Sequence, residues 1–395
     1  MKKTLSMLLA GAMLATALTG CGGGSSSGSD AQASGSSDSS ATGAAFKIGG
    51  TGPLTGAAAI YGNACKNGAQ IAVDEINAEG GDIQFELNYQ DDESDAEKAV
   101  NAYNTLKDWG MQISLGSVTS KPCEATAAET YSDRIFALTP SASSTATTEG
   151  KDNMFQMCFI DPTQGVLAAD KIAEKKLGTK IAIIYKNDDV YSTGIHDTFV
   201  TEAKTKGLQV VSDQTFTDAS ANDFSVQLND AKSKGAELVF LPIYYQPASL
   251  ILTQAHDMGF KTTFFGVDGM DGILTLEGFD TSLAEGLMLM TPFNADSTDE
   301  KTAAFVKKYQ EQFGDVPNQF AADAYDCVYA YKQALENAGA TPDMSAEDLC
   351  DKMIEQFTSM TFDGLTGTGA TWSAEGVVTK DPTVVKIENG KYVNV

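Results

Sequence analysis

The sequence is poor in the side chains that build most metal centres and catalytic triads. It has only two histidines, His196 and His256, and six scattered cysteines in 395 residues. Histidine is the commonest metal ligand and the usual base of a serine or cysteine triad. This scarcity argues against a histidine-based metal site and a conventional triad. We expect neither a metal nor a cofactor, and the composition favours a protein that is not an enzyme.

Basic residues are also scarce. Lysine and arginine number 27 against 53 aspartates and glutamates, which gives a net charge of −26. A surface so acidic repels nucleic-acid phosphates and anionic lipid headgroups. Nucleic acid is therefore not an expected partner. The chain is nevertheless 42% apolar, too much for a disordered protein, and it is long enough for two ordinary domains.

The N-terminus has no apolar run long enough to span a bilayer comfortably. Lys2 and Lys3 precede an apolar stretch from Leu5 to Leu18. A short apolar segment after positive charges is typical of an export signal, not of a transmembrane helix. We therefore predict a signal peptide over residues 1–20.

The four residues that end at Cys21 resemble a bacterial lipobox, Leu-Thr-Gly-Cys. In that motif small residues admit the peptidase, and the cysteine thiol carries a diacylglyceryl group. The alternative is a cysteine that merely follows a signal peptide. We predict that Cys21 is the lipidated N-terminus of the mature chain. The Gly- and Ser-rich residues that follow it lack large apolar side chains, so 21–45 should be an anchor with a flexible tether.

From Phe46 onward, short apolar or β-branched runs alternate with helical patterns. This alternation is typical of βαβ units and predicts an α/β fold of two doubly wound, Rossmann-like lobes. The predicted strands are 46–50, 83–90, 112–116, 135–139, 180–186, 208–211, 238–243 and 262–267, followed by strands and turns after 362. The predicted helices include 62–79, 95–109, 164–177, 222–234, 247–258, 299–313, 319–338 and 346–357.

The loops after these strands carry hydroxyls, aromatic rings and one carboxylate. In doubly wound folds, ligands bind beyond the carboxyl ends of parallel strands. The loops hold no pair of a nucleophile and a base. Their candidate residues are Tyr61, Ser120, Ser141, Ala142, Ser143, Ser144, Tyr191, Tyr244, Tyr245 and Asp268.

These groups match the needs of a free amino acid in a dry cleft. Its carboxylate needs donors, its ammonium needs an anion and acceptors, and its side chain needs an apolar wall. Ser120 stands just before Pro122 at a predicted helix start, where free N–H groups favour an anion. Ser141 and Ser143 follow Pro140 in a second such loop.

Each candidate has a simpler structural explanation. Ser120 could be an ordinary helix N-cap, and the loop from 141 to 148 could be a solvated connection. The tyrosines could be packing residues. Asp268 precedes Gly269, so it could be a turn aspartate. Residue types and spacing alone leave these alternatives open.

Several motifs in order make the chain from 46 to 395 similar to a known family. The motifs are Gly-Pro-Leu-Thr-Gly at 52–56, Asn-Gly-Ala at 67–69, Asp-Glu-Ile-Asn-Ala at 74–78, Tyr-Gln-Asp-Asp at 89–92, residues 116–120, Thr-Pro-Ser-Ala-Ser-Ser at 139–144 and Phe-Gly-Val-Asp-Gly at 265–269. The chain resembles the leucine/isoleucine/valine-binding family, the substrate receptors of ATP-binding-cassette importers. This resemblance implies a type I periplasmic-binding fold.

The resemblance assigns roles by position. It places Ser120 on a serine that binds the ligand carboxylate and the loop 141–143, with Ser141, Ala142 and Ser143, against both charged ends of the ligand. It places Asp268 where a relative has the glutamate that pairs with the ammonium, one methylene longer. The aromatic positions around the ligand are Tyr61, Tyr191, Tyr244 and Phe320.

The resemblance also implies how the chain is divided. Lobe 1 would comprise 46–161 and 292–368, and lobe 2 would comprise 162–291 and 369–395, with crossings near 161–162, 291–292 and 365–372. An amino acid would close the lobes, and a membrane permease would read the closed form. We expect a monomer, outside the cytoplasm, held to the membrane only by its lipid.

Two other functions remain open at this point. The same fold could bind another small polar solute, such as an amide, urea or a short peptide, or could feed a sensor. A surface-anchored hydrolase is the alternative from a different class, and it would need a nucleophile within hydrogen-bond reach of a base. The acidic stretch 91–95 lacks the spacing and central glycine of a calcium loop, so we expect it to be a helix start.

Overall fold

The computed structural model describes residues 44–380 and 382–395. The predicted signal peptide, Cys21 and the tether as far as residue 43 lie outside the described residues. Strands and helices alternate along the described chain and form two sheets. The predicted α/β fold of two doubly wound lobes is therefore confirmed.

The first sheet has five parallel strands in the order β2-β1-β3-β4-β5. They are β1 (Phe46–Gly52), β2 (Phe85–Asp91), β3 (Ile113–Leu115), β4 (Phe136–Thr139) and β5 (Met154–Gln156). Strand β1 lies between β2 and β3, so the strand order reverses there. Such a switch point leaves a crevice beyond the carboxyl ends of the strands, where ligands bind in open parallel sheets.

The second sheet has seven strands in the order β12-β11-β10-β9-β8-β6-β7. They are β6 (Lys180–Lys186), β7 (Gln209–Phe216), β8 (Leu238–Leu241), β9 (Thr263–Gly266), β10 (Met288–Thr291), β11 (Thr383–Glu388) and β12 (Lys391–Asn394). Strands β6 to β10 pair in parallel, and the C-terminal hairpin adds two antiparallel strands at one edge. The carboxyl ends of β6, β8 and β9 supply the loops of the second lobe that matter below.

Ten helices of the described chain cover these sheets. They are α1 (Ala59–Glu79), α2 (Ala96–Trp109), α3 (Ser120–Asp133), α4 (Asp161–Glu174), α5 (Val190–Thr205), α6 (Ser225–Ser233), α7 (Tyr245–Asp257), α8 (Glu300–Phe313), α9 (Gln319–Ala338) and α10 (Ala346–Phe357). Their ends follow local chemistry. The Asp95 side chain accepts a hydrogen bond from Lys98 N–H at the start of α2, and Gly110 ends that helix with φ 92°, a conformation that favours glycine.

Glycines let two helix pairs approach closely. A Cβ on Gly68 of α1 would lie 1.9 Å from the Ala321 carbonyl oxygen of α9. A Cβ on Gly165 of α4 would lie 2.5 Å from the Ile195 carbonyl oxygen of α5. The first contact holds the C-terminal helices against lobe 1, and the second holds α4 on lobe 2.

The third crossing lies later in the chain than the sequence analysis places it. The indole Nε1–H of Trp372 donates to the Gln156 carbonyl at 2.8 Å, and the Gln156 N–H donates to the Gly376 carbonyl at 2.9 Å. Residues after 369 thus still contact β5 of the first sheet, and the chain joins the second sheet only at Thr383. We therefore propose that lobe 1 extends beyond 369 as far as Lys380, whose Nζ donates to Asp323 of α9.

Two strands and one helix are absent from the sequence predictions. Strand β5 has only three residues, too few for a period-two pattern to appear. Strand β10 is Met-Leu-Met-Thr, an apolar run with little β-branching, which does not distinguish strand from buried helix. The mixed sequence of α5, with five threonines or serines among its 16 residues, hides its helical stripe.

The remaining sequence features have structural roles. In the acidic stretch, Asp91 accepts from Leu54 N–H and Thr55 Oγ1, and Asp95 caps α2. Cys65, Cys123, Cys158, Cys327 and Cys350 are free and buried. Among residues 44–380 and 382–395, no helix combines the length and apolar character needed to cross a membrane.

Candidate functional site

A small cavity lies between the two lobes, beyond the carboxyl ends of both sheets. The space between the lobes there measures about 230 Å³, part of which is open to solvent. Its lining residues are Tyr61, Val118, Thr119, Ser120, Ser141, Ser143, Tyr191, Tyr244, Asp268, Gly269 and Phe320. Eight of the nine ligand-binding residues predicted from the sequence thus line one cavity.

Ser120 lies at the first turn of α3, which begins just after β3. Thr119 occupies the N-cap position but makes no side-chain cap, so the first N–H groups of the helix are free to face the cavity. Ser120 Oγ accepts from the Ser144 N–H at 3.2 Å, and the side chain is buried. Ser120 is therefore not the simple N-cap of the alternative explanation. It joins the helix start to the neighbouring loop at a point favourable for an anion.

The loop 141–144 is held by polar side chains of lobe 1. Thr139 Oγ1 accepts from the N–H groups of Ser141 at 3.3 Å and Ala142 at 3.0 Å, and Gln156 Nε2 donates to the Ala142 carbonyl at 2.8 Å. Both backbone groups of Ala142 are thus paired inside the lobe, and it does not line the cavity. We assign Ala142 a supporting role instead of the predicted ligand contact. The loop presents Ser141 and Ser143 to the cavity.

Asp268 and Tyr191 form the polar part of lobe 2. The Tyr191 hydroxyl donates to Asp268 Oδ1 at 2.6 Å and accepts from the Gly269 N–H at 3.0 Å. Asp268 is 3% exposed, and burial raises its pKa to about 6. A carboxylate in this position gains charge stabilisation from a cation that enters the cavity.

Four aromatic rings form the apolar wall. The Tyr61 ring lies 4.6 Å from Phe320 and 5.5 Å from Tyr244, both edge to face. Tyr244 stacks on Tyr191 at 4.7 Å. Tyr61 and Phe320 come from lobe 1, and Tyr191 and Tyr244 come from lobe 2, so the wall is complete only when the lobes meet.

A second buried carboxyl group, Asp161, escaped the sequence analysis. It is 1% exposed, and neither carboxyl oxygen has a hydrogen-bond partner among the described residues. Its N–H donates to the Ser143 carbonyl at 3.0 Å. The Ser143 hydroxyl and Gln164 Nε2 are also buried without partners in the described chain. Burial raises the pKa of Asp161 well above its usual range, with Asp268 adding to the rise. Its place at the first residue of α4, before Pro162, was the only signal in the sequence.

The cavity therefore has an acidic side and no basic one. Of its lining residues in the described chain, Asp268 carries a charge and none is lysine, arginine or histidine. The nearby Lys380 is engaged elsewhere, since its Nζ donates to Asp323 at 2.7 Å and to Thr366 Oγ1 at 2.6 Å. An anion in the cavity would have only hydroxyl and amide donors, whereas a cation would meet a carboxylate.

The family model for the periplasmic binding protein matches residues 45–391. The chain belongs to this periplasmic binding protein family. Two curated relatives show how far the similarity extends. This chain is 29% identical to the Leu/Ile/Val-binding protein BraC3 of Rhizobium johnstonii over 74% of this chain and 80% of the relative. It is 30% identical to an amino acid binding protein of Pseudomonas aeruginosa over 76% of this chain and 81% of the relative.

Solved structures agree with this family. This chain superposes with a TM-score of 0.80 on the branched-chain amino acid transporter substrate binding protein LivJ of Streptococcus pneumoniae, which was solved in complex with isoleucine. The two sequences are 28% identical, and the match covers 88% of this chain and 97% of LivJ. The leucine binding protein LivK of Thermotoga maritima gives a TM-score of 0.79 at 25% identity, over 89% and 97% of the two chains. The predicted family resemblance and type I fold are confirmed.

Proposed function

We propose that the protein is an extracytoplasmic receptor that binds one free amino acid between its lobes and delivers it to an ATP-binding-cassette importer. The observation that carries this proposal is the buried Asp268 carboxyl group, which faces the hydroxyls of lobe 1 across a cavity whose described lining residues include no basic side chain. A zwitterion satisfies both sides of such a cavity, because it brings its own cation and its own anion. The names of the relatives, amino acid binding and Leu/Ile/Val-binding, support it.

In the proposed complex each end of the ligand has its own lobe. The hydroxyls of Ser120 and Ser141 and the first N–H groups of α3 bind the carboxylate from lobe 1. Asp268 on lobe 2 binds the ammonium. The Ser143 hydroxyl lies between the two ends and near Asp161, whose buried carboxyl group can accept a hydrogen bond from the ammonium. The ligand therefore bridges the lobes and favours their closed arrangement.

The protein acts as a receptor in this proposal, and the closed lobes are what the permease recognises. Hydrolysis would need one of the cavity serines to be deprotonated by a base. The cavity lining in the described chain has no histidine or lysine to serve as that base. We infer a monomer that needs no cofactor.

A panel of thermal melts tests the proposal. We expect at least one aliphatic L-amino acid to raise the melting temperature by several degrees, since a ligand at 100 times its Kd adds about 2.7 kcal/mol to the stability of the folded state. Isoamylamine and 4-methylpentanoate are the matched controls, because each keeps a leucine-like side chain but lacks one charged end. Neither should shift the melt comparably. A panel in which only amides, urea or peptides stabilise the protein would contradict an amino acid ligand.

We further propose that Cys21 anchors the mature chain to the membrane through a lipid. The support is the Leu-Thr-Gly-Cys sequence at the end of the predicted signal peptide. Replacing Cys21 with alanine should move the protein from the membrane fraction to the soluble extracytoplasmic fraction, because no acyl chains remain to partition into the bilayer. Fractionation followed by immunoblotting measures this, with Cys65→Ala as the control. A Cys21→Ala protein still held by membranes would contradict lipidation.

A further inference from the structure

The hydroxyl of Tyr61 connects the two lobes. Tyr61 belongs to α1 of lobe 1, and its side chain is 1% exposed. The hydroxyl donates to the Gly269 carbonyl at 2.5 Å and accepts from the Tyr245 N–H at 3.2 Å. Both partners belong to lobe 2, one after β9 and the other at the start of α7. One side chain of lobe 1 therefore uses its donor and its acceptor on lobe 2.

These partners need the hydroxyl when the lobes are together. Tyr245 is the first residue of α7, and its N–H has no partner within the helix. The Gly269 carbonyl lies in a buried turn, where an unpaired oxygen is costly. A third contact supports the pair, as the Ile60 N–H donates to the Tyr245 hydroxyl at 3.4 Å. All these bonds join protein groups.

The ring of Tyr61 is at the same time a wall of the ligand cavity. It is held between Phe320 at 4.6 Å and Tyr245 at 4.9 Å. A ligand side chain too large for the cavity would have to push this ring aside. Any displacement of the ring also moves the hydroxyl away from Gly269 and Tyr245, because the ring is rigid.

We propose that the Tyr61 hydroxyl is a latch that holds the lobes closed and, through the ring, sets the largest ligand side chain compatible with closure. Tyr61 is in this sense a positioning and selectivity residue in addition to a wall of the cavity. The size limit rests on the proposed amino acid function, whereas the latch itself does not.

The latch can be tested without any ligand. In Tyr61→Phe the aromatic wall remains, but the Tyr245 N–H loses its acceptor. We expect the Tyr245 amide of the full-length ligand-free protein to exchange with deuterium at least tenfold faster, and small-angle scattering to show a larger radius of gyration. The matched control is Tyr331→Phe, which removes a buried hydroxyl that donates to Ser114 O at 2.7 Å within lobe 1. It should change neither quantity. Unchanged exchange at Tyr245 in Tyr61→Phe would overturn the latch.

The size limit is tested by selectivity. We expect Tyr61→Phe to bind aliphatic amino acids 10- to 100-fold more weakly, mainly through faster dissociation, but to lose much less affinity for L-tryptophan. The preference for small side chains, measured by competition, should therefore narrow about tenfold. An equal loss of affinity for all ligands would overturn the size limit. The latch would then be judged by the deuterium exchange of the Tyr245 amide alone. If no amino acid binds the wild-type protein, the proposed function and the size limit fail together, and exchange at Tyr245 still decides the latch.

Discussion

Replacing Asp268 with asparagine is expected to weaken amino acid binding about 30- to 1,000-fold, or about 2–4 kcal/mol. The ammonium of the ligand would enter a buried site that no longer carries an opposite charge next to it. The side chain keeps its size, so the Tyr191 hydroxyl still finds an oxygen to bond to. The loss therefore reports the missing charge and not a new cavity.

Titration calorimetry measures the affinity, and melting of the ligand-free protein separates binding from folding. A buried carboxyl group whose pKa is raised by burial costs stability when it is charged, so the ligand-free Asp268→Asn protein should be as stable as the wild type or more so. The matched control is Asp92→Asn, a buried aspartate of lobe 1 whose pKa burial raises to about 7 and which does not line the cavity. It should leave affinity within about twofold. If Asp268 is only a turn residue, stability will fall and affinity will not.

The pH dependence of binding follows from the same group. Only the ionised Asp268 attracts the ammonium, and its pKa without ligand is about 6. Affinity should be constant above about pH 7 and should fall towards tenfold per pH unit below pH 6, as a proton competes with the ligand. The Asp268→Asn protein should lack this dependence. If the affinity of the Asp268→Asn protein falls equally steeply below pH 6, the titrating group is Asp161 and not Asp268.

The second large effect is expected from Lys380, which lies at the third crossing. Its side chain is 3% exposed, and its ammonium group pairs with Asp323 of α9, whose side chain is 2% exposed. Asp326, one turn along α9, is also buried and accepts from the Leu365 and Thr366 N–H groups at 2.8 and 2.9 Å. Replacing Lys380 with methionine leaves these carboxylates without a counter-charge. We expect a loss of about 3–5 kcal/mol in the free energy of unfolding at pH 7.5.

Denaturant titration at several pH values checks this prediction. Burial raises the pKa of Asp323 to about 6 even beside Lys380, and loss of the lysine should raise it further. Protonation of Asp323 then removes its unpaired charge in the Lys380→Met protein, so the loss of unfolding free energy should shrink between pH 7.5 and pH 5.5. A second substitution, Asp323→Asn, should restore part of the stability. Lys391→Met, which breaks an exposed pair with Asp296, is the control and should cost less than about 1 kcal/mol. If Lys380→Met also loses less than about 1 kcal/mol in unfolding free energy, the prediction is contradicted.

Much of the site was predictable because its residues follow strands. The strands before Ser120 and Asp268 are short apolar runs that local periodicity reveals, and parallel strands bring their carboxyl ends to one edge. The predicted Ser143, Tyr191 and Tyr244 reach the cavity for this reason. Ala142 is the one predicted residue that does not line the cavity, since its backbone groups are paired with Thr139 and Gln156. Its neighbours Ser141 and Ser143 face the cavity, and the sequence does not reveal which way each residue of the loop points.

The sequence by itself determined the scarcity of histidine and basic residues, the alternation of strand and helix, and the set of hydroxyls, rings and one carboxylate at the strand ends. These are local properties, because they depend on residue type and on periods of a few residues. Only the tertiary structure decided which buried groups have partners. Asp161 became a candidate because both its oxygens lack partners within the described chain, and we propose Tyr61 as a latch because two groups of the other lobe bond to its hydroxyl. Burial and pairing arise between residues far apart in the chain, so no local pattern carries them.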